Sequence, residues 1–137
     1  MLEYNMQTPE YKIVVIGETD IGKSTFIKRL VYNLERLYTT EKTLGVDVMC
    51  LDLHGNNGRI RLNMWDCGGK YRGLGEKYYI DAYGAIIFKN GSNNNHLAFE
   101  YGLPETSKKF YIDDFNMGNP EHTVAEYKNQ LYKWIFS

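Results

Sequence analysis

The sequence has few of the features that direct a protein to a membrane, to nucleic acid or to an oxidising compartment. Its two cysteines, Cys50 and Cys67, form no C-x-x-C pair, which argues against a zinc site and against a disulfide framework. The net charge is −1 and the basic residues are scattered, so no global field favours nucleic acid or an anionic membrane. There is no apolar run of about 18 residues, the minimum for a membrane helix. Residues 1–10 contain no apolar stretch, and residues 134–137 contain no cysteine for prenylation. We therefore expect a reduced, cytoplasmic and/or nuclear protein with no membrane anchor and no nucleic-acid partner.

The apolar patterning predicts a single α/β domain over residues 1–137, with residues 1–10 flexible. Short apolar or alternating runs predict strands over residues 12–16, 46–53, 59–65, 82–88 and 109–113. Helical spacing predicts one helix from Lys23 to about Leu34 and a second that begins at Asn119-Pro120 and runs to about Phe136. This order of elements predicts a five-stranded sheet in which residues 109–113 pair beside residues 82–88.

A phosphate-binding pattern, G-x-x-x-x-G-K-[ST], lies between the first strand and the first helix. Backbone N–H groups of such a loop form an anion nest, and the helix dipole adds to it. Lys23 would reach the terminal phosphates, and the Ser24 hydroxyl would bind Mg²⁺. The alternative is a glycine-containing turn followed by a surface lysine. The predicted cofactor-binding residues here are Gly17, Glu18, Thr19, Asp20, Ile21, Gly22, Lys23, Ser24 and Thr25.

Two later segments would complete the phosphate side of the site. Asp66 follows the third strand and is suited to hold Mg²⁺ through its water shell. Gly69, three residues later, would let a backbone N–H approach a γ-phosphate. Thr43, in the polar loop before the second strand, would complete the metal coordination. The alternatives are an ordinary Asp-initiated turn and a solvated loop threonine.

These residues resemble the Ras superfamily of small GTPases, and most closely its Ran family of nuclear-transport GTPases. The resemblance extends over about residues 11–90 and is faint beyond them. The segments that carry it are residues 11–17 (YKIVVIG), 22–29 (GKSTFIKR), 43–48 (TLGVDV), 63–66 (NMWD), 78–82 (YYIDA) and 85–88 (AIIF).

The resemblance implies GTP/GDP and Mg²⁺ as cofactors. It implies that Lys23 binds the β- and γ-phosphates, that Ser24 and Thr43 ligate Mg²⁺, that Asp66 supports the metal, and that Gly69 senses the γ-phosphate. Residues 36–47 and 66–80 would be the two switch regions, through which transport receptors or Ran regulators would bind.

Two departures from the family pattern predict slow hydrolysis. Lys70 stands where the family carries the glutamine that orients the attacking water, and a protonated lysine cannot accept a hydrogen bond from that water. Thr19 stands where the family usually carries glycine, and its side chain would crowd the space beside the γ-phosphate. Lys70 could instead be a surface lysine in a mobile loop, or could neutralise γ-phosphate charge in part as an arginine finger does.

A third departure concerns the base. No N-K-x-D motif is present, and one helix–strand unit of the family, roughly 30 residues, is missing after the fourth strand. Asn90, Asp114 or Asn116 could contact a base. The predicted fold class is therefore a P-loop, small-GTPase-like, doubly wound sheet of about five strands, shortened by one helix–strand unit.

Two other functions stay open on this evidence. One is a pseudo-GTPase interaction module that presents residues 43–48 and 70–79 without significant nucleotide binding. The 12 tyrosines suit such an interface, although they also fill small cores. The other is a P-loop protein that binds ATP or another phosphate ligand.

Overall fold

The computed structural model describes residues 8–17, 23–33, 46–67, 78–89, 103–113 and 122–137. Within them the element order is β1 (Glu10–Ile16), α1 (Lys23–Tyr32), β2 (Val46–Gly55), β3 (Gly58–Cys67), β4 (Gly84–Lys89), β5 (Lys108–Asp113) and α2 (Val124–Ile135). The strands form one sheet in the order β2-β3-β1-β4-β5. Only the β2–β3 pair, a hairpin, is antiparallel; the other described pairs are parallel. The predicted α/β fold class is confirmed.

The fifth strand lies where the sequence predicted it. β5 pairs in parallel with β4 along its whole length, from Gly84 opposite Lys108 to Lys89 opposite Asp113. Residues 90–107 therefore separate, in the sequence, two strands that are neighbours in the sheet. The strand ends differ from the predicted ones by up to two residues. β1 and β2 are longer because backbone pairing continues through polar residues such as Glu10 and His54, whereas β4 begins two residues later than predicted, at Gly84.

The start of the second helix was predicted wrongly. Its N-cap is Thr123, not the Asn119-Pro120 pair, and the helix begins at Val124. The Thr123 side chain accepts the Glu126 N–H at 3.2 Å, and the Glu126 carboxylate accepts the Thr123 N–H at 3.2 Å. This reciprocal capping box satisfies two N–H groups that the helix leaves open, which fixes its first turn at Thr123.

Both described helices pack on one face of the sheet. α1 contributes Phe26, Ile27 and Leu30 to this core, and α2 contributes Leu131 among others. Phe26 lies edge-on to aromatic rings of β4 and α2 and ties the three elements together. The opposite face of the sheet has a smaller apolar cluster of Val14, Ile16, Tyr78, Ala82, Ala85 and Ile87. Neither α1 nor α2, the helices of the described ranges, has the length and apolar character to cross a membrane.

A tyrosine of α2 holds the turn of the β2–β3 hairpin. The Tyr132 hydroxyl accepts the Asn57 N–H at 2.8 Å and donates to the Gly58 carbonyl at 2.7 Å. Its ring covers Gly55, where a side chain would not fit. The hairpin is thereby fastened to α2 at the end of the sheet that is remote from the carboxyl end of β3.

Candidate functional site

The candidate site lies where β1 and β3 end side by side. β1 ends at Ile16 and is followed by Gly17, and β3 ends at Cys67. The parallel register places Val15 opposite Asp66, so Asp66 lies beside the start of the predicted phosphate loop. Ligands of open α/β sheets bind at this carboxyl edge of the strands.

Lys23 is buried in the first turn of α1 and points back to the end of β1. Its Nζ donates to the Gly17 carbonyl at 2.8 Å, and the residue is 6 % exposed. Burying an ammonium group is costly unless it is hydrogen-bonded. The contact therefore fixes a positive charge across the two ends of the predicted phosphate loop, where a polyphosphate would need it.

Ser24 and Asp66 bring two oxygen ligands together from distant parts of the chain. The Ser24 hydroxyl donates to Oδ2 of Asp66, and Asp66 is 3 % exposed. Mg²⁺ prefers oxygen ligands and is commonly held by one or two protein groups together with phosphates and water. The donor set present therefore fits Mg²⁺.

Of the remaining predicted site residues, the structure describes only Thr25. Thr25 lies in the first turn of α1 and is buried. The residues that lie outside the described ranges, and whose roles stay predictions, are Glu18, Thr19, Asp20, Ile21, Gly22, Thr43, Gly69 and Lys70. The base candidates Asn90, Asp114 and Asn116 also lie outside them. Of the two predicted switch regions, the structure describes residues 46–47, 66–67 and 78–80.

A buried tyrosine, to which the sequence gave no individual role beyond its place in the predicted second switch region, contacts both strands of the site. The Tyr78 hydroxyl donates to the Val15 carbonyl at 3.1 Å and also contacts the Trp65 carbonyl. The Val15 carbonyl belongs to β1, two residues before Gly17, and the Trp65 carbonyl belongs to β3, one residue before Asp66. No local pattern could have indicated this contact, because it joins residues that are 63 apart in the sequence.

A lysine of β1 holds the turn that follows Tyr78. The Lys12 Nζ donates to the Ile80 carbonyl at 2.8 Å and lies 4.0 Å from the centre of the Trp65 ring. Burial lowers the pKa of Lys12, and the nearby Asp81 carboxylate opposes this shift. Together, Tyr78 and Lys12 fix the segment that rejoins the sheet after β3.

Comparison with known protein families agrees with this geometry. Residues 12–116 match the model of the family described as Ras of Complex, Roc, domain of DAPkinase. The match runs from β1 through β5 and includes Gly17, Lys23, Ser24 and Asp66. This family is a GTPase-domain family of the Ras superfamily, which supports a GTP-binding function of the small-GTPase type. The chain belongs to the Roc family of Ras-superfamily GTPase domains.

Proposed function

We propose that this chain is a Mg²⁺-dependent GTP-binding switch with slow intrinsic hydrolysis. The observation that carries the proposal is the constellation at the ends of β1 and β3. There Lys23 reaches the Gly17 carbonyl and Ser24 reaches Asp66. This arrangement supplies a buried cation for phosphates and two adjacent oxygen groups for the metal. Bound GTP and Mg²⁺ would separate Ser24 from Asp66 and take the place of that direct contact.

Slow hydrolysis follows from the two departures in the sequence. Lys70 replaces the family glutamine, so the attacking water loses a hydrogen-bond acceptor. Thr19 adds a side chain in the phosphate loop beside the predicted γ-phosphate position. Both changes act on the hydrolytic step and leave Lys23 and Ser24 in place, so the triphosphate state would persist.

Without an N-K-x-D motif, the affinity for guanine nucleotides should be lower. Hydrogen bonds to a charged partner contribute roughly 1.5–3 kcal/mol each, and about 1.4 kcal/mol is tenfold in affinity. We therefore propose that the phosphate side and Mg²⁺ supply most of the binding free energy. Binding would be weaker, and discrimination between GTP and ATP smaller, than in a GTPase that carries the motif.

We also propose that the triphosphate-bound chain engages nuclear-transport receptors or Ran regulators through residues 36–47 and 66–80. Support comes from the Ran-like segments at residues 43–46 (TLGV) and 78–80 (YYI). The test is a binding assay of the GTP-loaded and GDP-loaded protein against a purified transport receptor. Binding that prefers the GTP form supports the proposal, whereas equal or absent binding of both forms contradicts it.

Nucleotide binding is tested first on the purified protein. The protein is denatured, any released nucleotide is identified by chromatography, and GTP, GDP and ATP are titrated by calorimetry with and without Mg²⁺. We expect guanine-nucleotide binding that Mg²⁺ strengthens. An empty protein that binds none of these nucleotides would show that the chain is an interaction module instead, and preferential ATP binding would show a different P-loop function.

Matched variants assign the binding to the proposed residues. Lys23→Ala should reduce GTP affinity by more than about tenfold, because a hydrogen-bonded charge contributes at least that much. Lys108→Ala is its control, since the Lys108 Nζ donates to the Trp134 carbonyl at 2.9 Å, away from the site. Ser24→Ala should remove the Mg²⁺ dependence. Its control is Ser107→Ala, which deletes a buried hydroxyl that donates to the Ala82 carbonyl. Equal losses in a variant and its control would contradict the assignment.

Hydrolysis is measured as single-turnover cleavage of pre-bound GTP. We expect a rate well below that of GTPases with the family glutamine. The double variant Lys70→Gln with Thr19→Gly should raise the rate, and an unchanged rate would show that these two residues are not its cause.

A further inference from the structure

We propose that Tyr78 is a positioning residue that clamps the carboxyl ends of β1 and β3, and so holds the phosphate loop and Asp66 in register for nucleotide and Mg²⁺. This inference rests on the proposed function and adds a residue to it. Its basis is the position of one phenol hydroxyl between the two strands that carry the site.

The Tyr78 hydroxyl contacts β1 and β3 close to their carboxyl ends, where the candidate site lies. Val15, whose carbonyl accepts from Tyr78, is the register partner of Asp66 and lies two residues before Gly17. Trp65, the other contact, directly precedes Asp66. A change in the spacing of these two carbonyls would therefore shift Gly17 and Asp66 relative to each other.

The chemistry of the phenol makes the clamp sensitive to that spacing. A tyrosine hydroxyl has one proton to donate, and here that proton serves carbonyls of two different strands. Tyr78 is only 6 % exposed, so water is a poor substitute for either contact. The rest of the ring packs in the apolar cluster with Val14 and Ile87, which keeps the hydroxyl in place.

The place of Tyr78 in the chain links the clamp to the switch. β3 ends at Cys67, and Tyr78 is the first residue described after it, near the end of the predicted second switch region, residues 66–80. Tyr78 thus joins the described end of that region to both strands that carry the site.

The test compares Tyr78→Phe with two matched tyrosine variants. Tyr132→Phe removes a hydroxyl that bonds two backbone groups of the hairpin turn, and Tyr83→Phe removes one that donates to the Ile135 carbonyl. All three keep the ring and delete one hydroxyl. Thermal melts of each variant confirm folding and report the general cost of losing such a hydroxyl.

The first readout is dissociation of a pre-bound fluorescent GTP analogue, in Mg²⁺ and in excess EDTA. We expect dissociation from Tyr78→Phe to be roughly threefold to tenfold faster than from wild type in Mg²⁺, the range that corresponds to one net hydrogen bond. The ratio should fall towards one in EDTA, because the connection through Asp66 needs the metal. Tyr132→Phe and Tyr83→Phe should dissociate at the wild-type rate in both conditions.

The second readout is amide hydrogen exchange of the nucleotide-free proteins. Peptides that cover residues 15–17 and 65–67 should exchange faster in Tyr78→Phe only. Wild-type dissociation rates in Tyr78→Phe, or unchanged exchange in these peptides, would overturn the clamp although wild type binds nucleotide. If wild type itself binds no nucleotide, the proposed function fails and the positioning role fails with it.

Discussion

The Gly55→Ala substitution tests whether Tyr132 locks the β2–β3 hairpin to α2. A methyl group at Gly55 would lie 2.7 Å from Cδ1 of Tyr132 and closer still to Cε1 and Cζ. Gly55 is not among the described glycines with positive φ, so alanine meets no backbone strain there. The ring of Tyr132 must therefore move, and its hydroxyl must leave Asn57 and Gly58.

The expected cost can be worked out from these contacts. Loss of the hydrogen bonds to Asn57 and Gly58 costs about 0.5–1.5 kcal/mol each, and overpacking of the ring adds about 1–3 kcal/mol. The free energy of unfolding should thus fall by about 2–6 kcal/mol in Gly55→Ala. Tyr132→Phe loses the hydrogen bonds but keeps the ring, so its expected cost is about 1–3 kcal/mol.

Urea unfolding followed by circular dichroism measures these costs, and a double-mutant cycle isolates the clash. In a Tyr132→Leu background the ring is gone, so Gly55→Ala should cost much less there than in wild type. The coupling free energy should be about 2 kcal/mol, within the range found for residues in contact. An equal cost of Gly55→Ala in both backgrounds, or a cost below about 0.5 kcal/mol in wild type, would refute the ring as the cause.

Of four further predictions, two concern the helix cap, one a cross-strand pair and one the core. Thr123→Ala should lower the free energy of unfolding by about 1 kcal/mol, the usual cost of a lost N-cap, in urea denaturation. The hydrogen bond from the Thr123 N–H holds the pKa of Glu126 below its usual 4.5. The stability that Glu126 adds is therefore full above that value and is lost as the pH falls through the lower folded pKa. Consequently, the difference in melting temperature between wild type and Glu126→Ala should shrink in acid, and a constant difference would contradict this. Asp52 and Arg61 lie opposite each other on β2 and β3, with Nε of Arg61 2.7 Å from Oδ1 of Asp52, and both side chains are exposed. Asp52→Asn should therefore lower the melting temperature only slightly, and not at all in about 1 M salt, because salt screens exposed charges. Phe26→Ala should destabilise the fold by about 3–5 kcal/mol in the same urea assay, since Phe26 is fully buried, and a milder loss would show that the core collapses around it.

The sheet was largely predictable because its strands are locally encoded. A run of β-branched residues predicted β1, an apolar run predicted β4, and a turn cluster beside an alternating strand predicted the hairpin. The pairing of β5 with β4 was predicted from the length of the connection between them and is confirmed. The start of α2 was not predictable, because proline at a first helical position and a capping box both indicate a helix N-terminus. In the structure the two reciprocal hydrogen bonds between Thr123 and Glu126 place the N-cap at Thr123.

The site residues that belong to short contiguous motifs could be predicted from the sequence. The loop pattern marked Lys23 and Ser24, and the strand that ends in Asp66 marked the metal side; the structure brings these together by parallel pairing of β1 and β3. Tyr78 and the buried Arg29 of α1 could not be assigned in this way. Their surroundings come from segments far apart in sequence, and a tyrosine or arginine alone carries no spacing signal.

Three tyrosines of the described residues share a physical role that neither an interface nor a simple core explains. Tyr78, Tyr83 and Tyr132 each put an aromatic ring against the fold and use the hydroxyl to bond backbone groups of another element. A small domain buries less of its surface than a large one, so each contact must stabilise it more. A phenylalanine would supply the same ring but would leave the strand, hairpin and helix carbonyls without this donor. These three tyrosines therefore act as anchors between elements, and Tyr78 is the anchor that lies beside the candidate nucleotide site.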